Sequence, residues 1–99
     1  MRLSSAHHDA ILQVVSDVCG PDARVRLFGS RVDDTKRGGD VDLLVELAAE
    51  PDDVFDLQRH LYARLLRALD SRPVDVLVLG PRTPRAAVHL EALQHGVVL

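Results

Sequence analysis

Aromatic rings are scarce in this chain. Of 99 residues, only Phe28, Phe55 and Tyr62 carry one, and there is no tryptophan. Proteins that hold single-stranded nucleic acid stack its bases on such rings, so that class of binding surface is nearly excluded. A surplus of positive charge is also missing. Twelve Lys and Arg stand against 15 Asp and Glu, a net charge of −3. Tight nonspecific binding to nucleic acid needs a basic surface, so no direct nucleic-acid partner is expected. The single cysteine, Cys19, rules out an internal disulfide. It falls at the apolar end of an expected helix and reads as a small buried hydrophobe. No apolar run has bilayer-spanning length and no signal-peptide pattern is present, so the expectation is no membrane association and a cytoplasmic location.

Several familiar chemistries are absent as well. The five histidines (His7, His8, His60, His89, His95) make no zinc-binding spacing. Ser30 and Ser71 have no evident base partner, which argues against a Ser-His-Asp hydrolase. The Gly29-Ser30 turn lacks the Gly-x-x-x-x-Gly-Lys-Ser/Thr pattern of a P-loop. There are no internal repeats, low-complexity stretches or linkers, and the length suits one domain, residues 1–99.

What is present is an apolar fraction of 46%, enough for a core built of Leu, Val and Ala. Leu3, Ile11, Leu12, Val15 and Val18 recur at helical spacing, with Ser4 or Ser5 as cap and Gly20-Pro21 as stop. Val25 to Phe28 is expected as a short strand and Val41 to Leu47 as a second. Pro51-Asp52-Asp53 opens a long helix with a stripe at Val54, Leu57, Leu61, Leu65 and Leu69. Arg59, Arg64 and Arg67 lie largely off that stripe, and Tyr62, near its edge, reads as packing. Val74 to Leu79 is a third strand. Thr83-Pro84 predicts the cap and first residue of a last helix. Val97-Val98-Leu99 reads equally as an edge strand or a tail. The expected fold class is α/β (α+β), a small sheet with helices packed on one side.

Acids and a glycine turn mark the candidate site. Strand side chains alternate, so Asp40 and Asp42 at the head of the second strand are expected on one face. Carboxylates so placed bind hard divalent cations such as Mg2+; they serve equally as a solvated strand end after Gly38-Gly39. Asp75, in Val74-Asp75-Val76-Leu77, completes a three-carboxylate cluster if the third strand neighbours the second. Two ions held there would position a nucleotide and activate an attacking oxygen. Gly29 and Ser30 offer N–H groups and a hydroxyl to phosphate, or form an ordinary capped turn. Arg31, Lys36 and Arg37 are phosphate-reaching cations or solvated loop residues.

Leu27-Phe28-Gly29-Ser30-Arg31, nine residues after Ser30, then Asp40-Val41-Asp42-Leu43-Leu44-Val45 resembles the signature of the minimal nucleotidyltransferase (MNT) family. That family lies within the DNA polymerase beta-like nucleotidyltransferases, and Asp75 matches its third acid. The resemblance implies a nucleotidyltransferase fold with a mixed sheet. It implies that Gly29, Ser30 and Arg31 bind the nucleotide, that Asp40, Asp42 and Asp75 hold two Mg2+ ions, and that Asp75 helps deprotonate an acceptor hydroxyl. ATP is the implied substrate, with AMP transferred and pyrophosphate released.

Larger relatives carry a further acceptor-binding domain, and these 99 residues leave no room for one, so another polypeptide is expected to bring the acceptor. Stand-alone proteins of this kind resemble antitoxins of HEPN–MNT toxin–antitoxin pairs. The implied partner is then a HEPN-type ribonuclease toxin encoded nearby, joined in a hetero-oligomer and modified on a tyrosine. The helix at 53–70 is a candidate docking face. Two other readings stand beside this one: a non-catalytic antitoxin that masks the toxin, and a nucleotide-binding subunit of a two-chain transferase.

Overall fold

A computed structural model describes residues 3–29 and 41–99. Helix α1 spans Ser5–Cys19. Its start is set by Ser4, whose Oγ accepts the His7 N–H at 3.1 Å. Its end is set by Gly20, at φ +90, which donates its N–H to the Ser16 carbonyl. Ile11, Val14 and Val15 form its buried stripe. Cys19 is half-buried, and that burial pushes its thiol pKa up.

Strand β1 (Arg24–Phe28) alternates, with Val25 and Leu27 buried. Strand β2 (Val41–Glu46) is apolar on both faces in its middle. Val41, Leu43 and Val45 enter the main core, while Leu44 is equally buried on the opposite face. Helix α2 (Val54–Ala68) starts at Asp53, which accepts N–H bonds from Phe55 and Asp56, each at 3.1 Å. It buries Leu61 and Leu65 completely. The chain then turns through Asp70 and Ser71, both at positive φ, into β3 (Val74–Leu79).

The sheet order is β3-β2-β1-β4, where β4 is Val97–Val98. β1 pairs antiparallel with β2 and with β4, and β2 pairs parallel with β3, so the sheet is mixed. The alternatives for the last three residues resolve in favour of a strand: Val97 and Val98 stand opposite Leu27 and Arg26. The main core fills the space between the sheet and α1 with α2. Each buried leucine there contributes about 1.5–3 kcal/mol.

Two expectations change in detail. One-sided layering holds for the two long helices, but α3 (Ala87–His95) lays Ala92 and Leu93 against Leu44 and Leu79 on the second face. The fully apolar middle of β2 requires this, since Leu44 needs cover. The last helix also begins later than Thr83-Pro84 predicts. Thr83 Oγ1 instead accepts the Gly80 N–H at 2.9 Å and closes the turn after β3. The α3 cap is Ala86, whose N–H donates to His89 Nδ1 at 2.9 Å.

Candidate functional site

α3 covers one end of the second sheet face, over Leu44 and Leu79. Beside that cover a row of one ring and two acids crosses three strands. Phe28 on β1 stands opposite Asp42 on β2, and Asp42 stands opposite Asp75 on β3. Residues in register share a face, so Asp42 and Asp75 project side by side from strands about 4.8 Å apart. Their chain neighbours Val41, Leu43, Val74 and Val76 point the other way into the core and hold the row in place. A slip of one residue would drive both carboxylates into that core, so the apolar alternation enforces the register.

Asp42 is half-buried and Asp75 exposed. Asp42 lies directly over Gly29, the first residue after β1. Gly29 has φ +78, a conformation that L side chains rarely adopt, and a Cβ built there would collide with the Asp42 carboxylate. The glycine is required twice, by its backbone angle and by the close approach of the acid. Gly29 and Asp42 are thus immediate neighbours in space.

Asp42 and Asp75 offer carboxylates from neighbouring strands. Their hard oxygen donors on neighbouring strands fit Mg2+, which prefers a few carboxylates together with substrate phosphates and water. Asp40, Ser30 and Arg31, with Lys36 and Arg37, lie outside the described residues. Among the described residues no group of three or more His, Cys, Asp or Glu is placed to hold a metal. The described share of the expected carboxylate set is therefore the Asp42–Asp75 pair.

A groove of about 570 Å³ opens beside Asp75. One wall is α2, through Phe55, Gln58, Arg59 and Tyr62; the other is β3, from Val74 to Leu77, with Phe28 and Val88 completing it. All three aromatic residues of the chain line this one groove. Phe55 is 76% exposed and Tyr62 45%. The reading of Tyr62 as packing is corrected here, because its ring borders open space. The signal available in the sequence was the spacing of residues 55, 58, 59 and 62, a second helical stripe beside the leucines. Two arginines of α2 divide: Arg64 reaches Asp17 of α1 at 3.2 Å and ties the two helices, whereas Arg59 pairs locally with Asp56 at 3.1 Å.

Among the described residues no helix is long and apolar enough to cross a membrane. No curated protein matches the chain. The family model described as nucleotidyltransferase domain matches residues 9–94. That match runs from within α1 to within α3 and takes in Gly29, Asp42 and Asp75. With that match over most of its length, and with a small mixed sheet and three helices among the described residues, the chain belongs to the nucleotidyltransferase domain family.

Proposed function

We propose that this nucleotidyltransferase moves AMP from ATP to a hydroxyl of a partner protein, namely a tyrosine of a HEPN-type toxin encoded nearby, and so serves as its antitoxin. The MNT-like spacing of Gly29-Ser30 and Asp40-Val41-Asp42 supports the finer family reading. The observation that carries the chemistry is the Asp42–Asp75 register pair set over the bare Gly29 backbone.

Asp42 and Asp75, joined by Asp40, would hold Mg2+. Bound Mg2+ supplies charge neutralisation for the triphosphate and orientation for in-line displacement. The chain's own residues do the rest. Gly29 and Ser30 would offer N–H groups to the phosphates, and Arg31 would offer a cation. The acceptor oxygen forms a bond to the α-phosphorus as the bond from that phosphorus to the bridging oxygen breaks. Pyrophosphate leaves with the bridging oxygen. The hydroxyl proton passes to the Asp75 carboxylate, which is exposed and therefore accessible to an incoming acceptor. Positioning provides most of the acceleration.

The test uses ATP labelled at either the α- or the γ-phosphate, with the purified HEPN-type partner and Mg2+. AMP transfer predicts label on the partner from α-labelled ATP only, and none when the cation is chelated. Label from the γ-position would instead indicate a kinase and would overturn the reading. A partner inhibited without gaining label would favour masking.

A further inference from the structure

We propose that the groove between α2 and β3 binds an extended segment of the acceptor protein, which adds to the sheet beside β3 and presents its hydroxyl side chain to Asp75. The inference rests on the reading of Asp75 above and names how the acceptor is held.

The first support is the open edge of β3. It is the terminal strand of the sheet, and among the described residues only β2 pairs with it. The Val41 N–H donates to the Pro73 carbonyl and the Leu47 N–H to the Leu79 carbonyl, both at 2.9 Å. In a parallel ladder that register turns the peptide groups of Asp75 and Leu77 toward β2 and those of Val74, Val76 and Val78 away from it. Val74 and Val76 line the groove although their side chains lie in the core. What they present to it is backbone. A row of outward N–H and C=O groups is a template for another strand.

The second support is the opposite wall. Phe55, Gln58, Arg59 and Tyr62 form one stripe of α2 along that edge. A helix flanking an edge strand makes a groove in which main-chain bonds give affinity and alternate side chains give specificity. A nucleobase could stack on the rings but would leave the peptide ladder unmatched, whereas a strand matches both.

Alternation and charge then specify the occupant. The residue opposite Asp75 shares its sheet face and carries the hydroxyl. Its two neighbours turn toward the Phe55–Tyr62 wall and are apolar. The groove carries an anion, Asp75, on the strand side and a cation, Arg59, on the helix side. Among the described residues Arg59 is held by an exposed pair with Asp56, which competes weakly for it. Charge complementarity therefore calls for an acidic side chain on the α2 side and none opposite Asp75.

The probe is a blocked peptide of alternating valine and tyrosine with one aspartate, added at millimolar concentration to the full chain. Amide NMR shifts and hydrogen exchange are read in β3. The proposal expects shifted and slowed amides at Val76 and Val78, and loss of binding by the same peptide N-methylated on alternate residues. The Phe55→Ser/Tyr62→Ser variant should bind the peptide about tenfold more weakly, with wild-type affinity for ATP. No change at the β3 amides, or unimpaired binding of the N-methylated peptide, would overturn it. So would a loss of ATP affinity in the aromatic variant, which would make the groove a nucleoside pocket. Failure of the transferase reading is separately visible: the peptide would still bind β3 while no nucleotide was transferred to any acceptor.

Discussion

Gly29 and Asp42 show how narrowly one position is constrained. Replacing Gly29 by alanine demands a left-handed conformation that costs about 1–2 kcal/mol, and its Cβ displaces the Asp42 carboxylate. Gly29→Ala should therefore lower the urea midpoint modestly and weaken binding of ATP with Mg2+ far more, as titration calorimetry would measure. Asp75→Asn should behave differently. The residue is exposed, so stability should hold while transfer falls about a hundredfold or more. A matched fall in stability would reassign Asp75 to a structural role. Both acids were visible in the sequence because a carboxylate inside an alternating apolar strand has few ways to be tolerated. The Phe28–Asp42–Asp75 row was not visible, since it depends on which strands become neighbours.

Cys19 gives a third prediction at this scale. Burial raises its pKa in the fold above that of the unfolded chain. The raised value means the folded state holds the thiol proton longer. The contribution to stability is full below the ordinary thiol value and is lost as pH rises from there through the folded pKa. Alkylation by iodoacetamide at mildly alkaline pH should accordingly be slow in the folded protein and speed up on adding urea. Equal rates in both states would contradict a protected thiol.

Among the elements, α2 serves two surfaces at once. Its Leu61 and Leu65 stripe is core, and its Phe55–Tyr62 stripe is a groove wall. The leucine stripe was legible because a strong apolar period leaves one burial solution. The neighbouring stripe mixes Phe, Gln, Arg and Tyr, and nothing local distinguishes a wall from a solvated flank. Helix starts divide along the same line. Asp53 caps α2 through side-chain bonds to two backbone N–H groups, as the Pro-Asp-Asp run suggested. Thr83 binds Gly80 instead of starting α3, because its hydroxyl has a competing local use in closing the turn after β3. Asp53→Ala should remove about 1 kcal/mol of stability, measured by urea unfolding. Thr83→Ala should leave the helix content seen by circular dichroism unchanged.

For the whole molecule, the parallel pairing of β2 with β3 decides everything about the site. Antiparallel or non-adjacent strands would separate Asp42 from Asp75, which the observed register places opposite one another. The crossover through α2 makes that pairing possible, because a parallel pair needs a long connection. The same crossover leaves β3 at the sheet edge next to the helix that walls the groove. Asp75 beside Asp42 and the groove along β3 are thus two consequences of one topology. The second face of β2 is covered too, because α3 packs over Leu44. Strand order itself lay beyond local pattern, since β4 contributes two residues whose placement follows from packing against β1.

The most direct test of the account is intact-mass spectrometry of the HEPN-type partner after incubation with this chain, ATP and Mg2+, beside an Asp42→Asn/Asp75→Asn control of unchanged fold. The account predicts a gain of one or more AMP units on the partner, mapped to a tyrosine, and no gain with the control. An unmodified partner with the wild-type chain, or equal modification by the control, would contradict it.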